Sequence, residues 1–245
     1  MNLTKIDCSI VGSSSGLGDT ELYSVFNPLQ RAGCLVAGFA SGSSNSVSGQ
    51  ISSRLALEHF SAAVSQHLIS KTNTANIDDT FLLEALELAF KEANRSVYEF
   101  GHKLAAGGRM GTSLLGIAIC NGNIGVAKSD SGSVYIVRNE EVVPFFVEED
   151  RGNSSSSKNY VGANSLVNVE LSSLPLEASD TIIAFSRTLE PNEEIRLIDF
   201  ILAGFLNNGA GLKHLTKQLF SGSDLEPSVL SVIVGPEGIY LKEAV

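Results

Sequence analysis

The chain has 245 residues, 43% hydrophobic and 18% charged, with a formal net charge of -10. This composition supports one large core, and no Pro-rich linker, charge block or long low-complexity stretch divides it, so a single domain over 1–245 is expected. The negative charge disfavours nucleic acid or an anionic membrane as the main partner, because the 17 Lys and Arg are scattered without a basic patch.

Met1 to Asp7 shows no basic segment leading into an apolar core, and no run approaches the roughly 20 apolar residues of a spanning helix. A soluble, cytoplasmic protein is expected. Ile6 to Val11, Leu22 to Val25 and Cys34 to Ala40 are short apolar runs that predict buried strands. From Gly49 the period changes, and Ile51, Leu55, Phe60, Val64 and Leu68 mark one face of an amphipathic helix. A second helix starts at the cap-type residues Asp78, Asp79 and Thr80. It carries a wide apolar stripe from Phe81 to Phe100 and ends near Gly107-Gly108.

Thr112 to Cys120, Ile124 to Ala127, Ser133 to Val137 and Val142 to Val147 then predict an antiparallel meander, with turns at Asn121-Gly122-Asn123 and Asn139-Glu140-Glu141. Leu166 to Leu171 and Thr181 to Phe185 follow as strands, and Glu193 to Leu206 and Leu212 to Phe220 as helices. Val229 to Val234 and Ile239 to Leu241 close the chain as a pair joined by Gly235-Pro236-Glu237-Gly238. Strands grouped with strands and helices in pairs indicate an α+β sandwich, two central antiparallel sheets flanked by helix pairs in four αββα layers. Cys8, Cys34 and Cys120 are odd in number, far apart and without a CxxC pair, so buried thiols in a reducing compartment are expected.

The element order is similar to that of the PPM (type 2C-like) metal-dependent serine/threonine phosphatases over nearly the whole chain. Leu35 to Arg54 resembles that family's strand, Ala-Asp-Gly-Met-Gly-Gly loop and following helix. Met110 to Leu115 resembles its Gly-Thr-Thr-Leu strand entry, and Asn123 to Arg138 its Val-Gly-Asp-Ser-Arg turn. Leu174 to Leu176 with Asp180 to Ser186 resembles the approach to Ser-Asp-Gly-Leu. The resemblance implies hydrolysis of phosphoserine and phosphothreonine by water activated between two Mn²⁺ or Mg²⁺ ions, which need several anionic oxygen ligands.

Those ligand positions are largely altered. The first acidic pair maps onto Asp19-Thr20-Glu21, with Glu21 at the ligand position and Gly16 where a phosphate-binding Arg is expected. Ser41 stands at the bridging Asp, followed by the retained Gly42. In the next turn the strict register puts Ser131 at the Asp position, and a one-residue slip puts Asp130 there. Ser-Asp-Gly-Leu reads Ser186-Arg187-Thr188-Leu189, and the last Asp-Asn pair reads Pro227-Ser228. A guanidinium beside a divalent cation costs several kcal/mol at an effective dielectric of about 20. A family flap of a few tens of residues is also reduced, to Glu148 to Asn159.

The resemblance therefore implies a degenerate, catalytically inactive pseudophosphatase that needs no cofactor and acts through a protein partner: a phosphoprotein, a kinase or a phosphatase. Two alternatives stand beside it. One is an active phosphatase with a divergent Mn²⁺ or Mg²⁺ site built from Glu21, Asp19 and Asp130. The other is a non-hydrolytic phosphate or phosphopeptide binder using Arg187. Space filling by Arg187, paired with Asp130 or Glu21, is the plainer role for that residue. Gly12 to Gly18 lacks the Lys of a P-loop and the GxGxxG spacing, His59, His67, His102 and His214 have no paired ligand spacing, and Glu148-Glu149-Asp150 has the look of a solvated turn.

Overall fold

The structure, a computed structural model, describes residues 5–11, 22–29, 34–42, 47–72, 78–104, 110–146, 159–204, 209–220, 227–235 and 239–241. In chain order the elements are β1 (Lys5–Val11), β2 (Leu22–Leu29), β3 (Cys34–Gly42), α1 (Val47–Thr72), α2 (Asp79–Lys103), β4 (Thr112–Cys120), β5 (Asn123–Ser129), β6 (Ser133–Arg138), β7 (Glu141–Pro144), β8 (Glu170–Pro175), β9 (Thr181–Phe185), α3 (Pro191–Leu202), α4 (Gly209–Leu219), β10 (Val229–Gly235) and β11 (Ile239–Leu241). The class is α+β, as expected. Two compact units compose it, one of Met1–Asp19, Gly132–Phe145 and Leu176–Val245, the other of Thr20–Ser131 and Phe146–Pro175.

The second of these units holds a five-stranded antiparallel sheet, ordered β2-β3-β4-β5-β8, against which α1 and α2 pack. Cys34 to Ala40 are all buried, which is why that strand reads as a continuous apolar run instead of an alternating one. Helix α2 begins where the Asp78 side chain accepts the backbone N–H of Phe81 at 2.9 Å. Its stripe of Leu82, Leu86, Ala89, Phe90, Ala93 and Val97 joins Phe60, Val64 and Leu68 of α1 in one core. Phe60 and Phe90 meet edge to face, ring centres 5.4 Å apart, an arrangement that adds about 0.5–1.5 kcal/mol to the burial itself.

The first unit carries a six-stranded sheet in the order β11-β1-β10-β9-β6-β7. Its core gathers Leu197, Phe200 and Ile201 of α3 with Leu212, Leu215 and Leu219 of α4 around Tyr135, Phe185 and Val229 of the sheet.

Four expectations need correction. The meander is broken between β5 and β6: β5 pairs with β8 and β6 with β9, so residues 130–132 carry the chain from one sheet to the other. The last two strands do not pair with each other; β11 runs parallel to β1, the one parallel pairing among the described strands. The strand expected over Leu166 to Leu171 lies later, at β8, because buried Asn94 holds the preceding loop open. Its amide donates to the carbonyls of Asn164 and Ser165 and accepts the N–H of Gly162 at 2.7 Å. Finally, Cys34 and Cys120 are not two free thiols but a disulfide. They stand opposite each other because β3 begins where antiparallel β4 ends.

Gly38 and Gly116 face each other across β3 and β4, beneath the Phe60 ring. A Cβ on Gly116 would stand 2.3 Å from Phe60 Cζ, so the ring can occupy this place only over bare backbone. Gly116→Ala is expected to destabilise the chain by about 1–3 kcal/mol through overpacking. A urea titration checks this: the midpoint falls while the slope stays constant, and an unchanged midpoint counts against the close fit.

Candidate functional site

Within each unit, the described residues singled out in the sequence fall at or just beyond strand ends. In the first unit, β9 and β10 pair Phe185 with Val229. The ladder extends by one further step, since Ser186 N–H donates to the Ser228 carbonyl and Ser228 N–H to Ser186 Oγ, both at 3.0 Å. This register sets Arg187 and Pro227 at neighbouring strand ends.

Arg187 is tightly engaged there. Its two terminal nitrogens donate to the Glu193 carboxylate at 2.8 and 2.6 Å, and one also donates to the Thr188 carbonyl at 3.1 Å. The guanidinium carbon lies 5.0 Å from the centre of the Phe220 ring, within cation–π range. The expected partner, Asp130 or Glu21, is thus corrected to Glu193. Planar guanidinium and planar carboxylate meet in two parallel hydrogen bonds, the bidentate geometry in which Arg and a carboxylate pair most strongly.

Glu193 also has a second task. It sits in the first turn of α3, and its carboxylate accepts the backbone N–H of Glu190 at 2.8 Å, with Pro191 opening the helix. Burial alone would raise its carboxyl. The hydrogen bonds from Arg187 and Glu190, with the charges of Arg187 and Arg196, outweigh burial and hold it below the ordinary carboxylate value. The sequence reading missed Glu193, although Pro191-Asn192-Glu193 after Glu190 carries the signature of a capped helix start.

In the second unit Ser41 is the penultimate residue of β3, paired with Leu22 on one side and Ser113 on the other. Its carbonyl accepts hydrogen bonds from Thr112 Oγ1 at 2.8 Å and Ser113 Oγ at 3.3 Å. Gly42 follows where the strand meets the start of α1. A Cβ on Gly42 would lie 2.6 Å from Gly49 Cα, so position 42 must be glycine for the two backbones to approach this closely. Asp130 comes one residue after β5, whose Ser129 pairs with Leu114. Its φ of +72° turns the chain out of the strand. The registers put Asp130 and Ser41 at the same end of the sheet, two strands or roughly 10 Å apart. Asp19, Glu21, Gly16, the Gly12 to Gly18 loop and Glu148 to Asp150 lie outside the described residues.

A two-ion centre needs several carboxylates converging on the same space. Among the described residues no group of three His, Cys, Asp or Glu could hold a metal ion. The altered positions offer a serine hydroxyl, a proline and an arginine already bonded to a carboxylate, with Asp130 the one acid at the described positions. Taken within each unit, the described positions alone supply fewer carboxylates than two hard dications need.

The two helix-covered sheets and their strand order define the class: the α+β fold of PPM-type serine/threonine phosphatases. Solved structures bear this out along almost the entire chain. The serine/threonine phosphatase of S. agalactiae superposes with a TM-score of 0.67 at 18% identity, covering 95% of this chain and 100% of its own. The PPM Ser-Thr phosphatase MsPP of Mycobacterium smegmatis, in complex with cacodylate, gives 0.61 at 13%, covering 95% and 98%. PppA, a key regulatory component of T6SS in Pseudomonas aeruginosa, gives 0.66 at 11%, covering 94% and 98%. At these identities the likeness is one of fold. No family sequence model and no curated protein sequence matches the chain.

Removing the Arg187 guanidinium leaves the nearly buried Glu193 carboxylate with its backbone bond alone, so Arg187→Ala is expected to cost about 2–3 kcal/mol. The pH dependence has a definite sign. Because the carboxyl of Glu193 titrates lower in the folded chain, its contribution is complete above the unfolded value of about 4.3 and disappears as pH falls through the lower folded value. The stability gap between the native chain and Glu193→Gln should stay constant from about pH 6 to 8 and close in acid. Chemical denaturation across this range measures it; a gap that closes near neutrality contradicts the assignment.

Proposed function

We propose that this chain is a non-catalytic protein on the phosphatase fold, acting by binding a protein partner in a regulatory role. One observation carries the reading. Arg187, at the position where the resemblance implies a metal-binding Asp, is held by Glu193 as the anchor of α3. A guanidinium bonded in this way offers a divalent ion no anionic oxygen and anchors the helix instead, so in this reading the position has exchanged one electrostatic task for another. Ser41 and Pro227 add no anionic oxygen. The regulatory role described for PppA is consistent with such a use of the fold. No described helix is long and apolar enough to cross a membrane. The protein partner is of the kind a phosphatase fold meets: a phosphoprotein, a kinase or another phosphatase.

Asp130, at the same sheet end as Ser41, supports a second reading: an active Mn²⁺- or Mg²⁺-dependent phosphatase that uses it together with Glu21 and Asp19. The two readings make opposite forecasts. Calorimetric titration with Mn²⁺, coupled to hydrolysis of a phosphoserine peptide in millimolar Mn²⁺, is expected to show neither saturable binding nor turnover. Saturable binding with turnover that Asp130→Ala abolishes would falsify the non-catalytic reading. A variant carrying Arg187→Asp, Glu193→Gln and Pro227→Asp, all within the first unit, tests the correspondence of positions. It should gain measurable Mn²⁺ affinity, and the Glu193→Gln change relieves the repulsion that the carboxylate introduced in place of Arg187 would otherwise meet.

A further inference from the structure

Helix α3 carries two apolar stripes, and the core accounts for only one. Leu197, Phe200 and Ile201 are buried in the unit's core. Ile195, Ile198 and Leu202 are 58%, 40% and 61% exposed. Their spacing of three and then four residues places them in a single row along the helix, and exposed Pro191 continues it by one more turn. A helix needs only one apolar stripe to pack onto its own domain. Single exposed leucines are ordinary on a protein surface, whereas a row in helical register is the form in which helices recognise each other.

The borders of the row are acidic. On a helical projection Glu194 lies along one edge and Asp199 along the other, while Arg196 directs its guanidinium to the Leu219 carbonyl at 3.0 Å. Glu194 is held in position, for its carboxylate accepts the Tyr135 hydroxyl at 2.6 Å. These charges select among occupants. In a symmetric pair of copies, antiparallel helices set each edge against its own duplicate, and parallel helices set the Glu194 edge against the Asp199 edge. Carboxylates face carboxylates either way, between chains that each carry -10. An anionic membrane is repelled by the same groups.

We infer that the outer face of α3 is a docking site for an amphipathic helix of a partner protein, with an apolar row bordered by Lys or Arg. The apolar row supplies burial, and the two carboxylate edges set orientation and exclude acidic competitors. Arg187 and Glu193 fix the beginning of this helix, so the face is presented on a firmly anchored element. The inference does not depend on whether the chain is catalytic, and the two can fail separately.

The test uses the full chain and a synthetic helical peptide of about 18 residues, with leucines at i, i+3, i+4 and i+7 and lysines along both flanks, titrated by fluorescence anisotropy. The peptide is expected to bind, and its counterpart with glutamates in place of lysines is not. Ile198→Ser with Leu202→Ser should weaken binding about tenfold. Asp199→Asn should weaken it less and reduce its salt dependence. Both replacements are at exposed positions, and circular dichroism verifies that the fold is retained. The proposal is overturned if the lysine peptide does not bind, if the glutamate peptide binds equally, or if the double variant binds as well as the native chain. It is also overturned if sedimentation reveals a dimer that the double variant abolishes, or if anionic vesicles capture the chain through this face.

Discussion

The bidentate pair between Arg187 and Glu193 ties together three elements of the first unit. A guanidinium at the end of β9 would be an isolated, three-quarters buried charge without an acid in the correct plane. Glu193 provides that plane because it is fixed at the start of α3 by the backbone of Glu190 and by the constraint of Pro191. The ring of Phe220, just after α4, covers the guanidinium. Strand end, helix start and the end of the following helix are therefore joined through one planar cation. Within this unit the charge of Arg187 is met by a carboxylate of the same chain.

Much of the fold was legible because the relevant signals are local. The alternation and length of apolar runs located most strands, and the wide stripe from Phe81 to Phe100 located α2 because helical period and packing agree along that segment. Turn chemistry also held: Asn121 with Gly122, and Asn139 with Glu140, take positive φ where the β4–β5 and β6–β7 hairpins reverse. Pairing was less accessible. Nothing in the run from Ile124 to Val137 discloses that β5 and β6 belong to different sheets, since a strand's neighbours are selected by contacts far away in sequence. The parallel addition of β11 to β1 was hidden for the same reason, as was the disulfide, which joins residues that only the register of β3 and β4 brings opposite each other.

The candidate site divides similarly. Ser41, Gly42, Arg187 and Pro227 could be singled out from sequence because they stand at the ends of apolar strand runs whose spacing resembles that of a known family. The close approach of Gly42 to Gly49 and of Gly116 to Phe60 shows why glycine stands at positions 42 and 116. The partner of Arg187 was not legible from motif spacing, because Glu193 lies beyond the motif in a helix start with its own local logic. The exposed row of α3 was equally hidden. Ile195, Ile198 and Leu202 cannot be separated from Leu197 and Ile201 until it is known which side of the helix the core takes.

The disulfide between Cys34 and Cys120 spans 86 residues of sequence. Both long helices, α1 and α2, lie inside the covalent ring it closes. Oxidised, this part of the molecule is a tether as well as a packed layer: a single peptide-bond cut in the connection between the helices would leave both pieces bonded to each other. The interval that contains Ser41 and Gly42 is thus kept on one covalent circuit with the helices that pack behind it, whatever happens to the continuity of the chain between them.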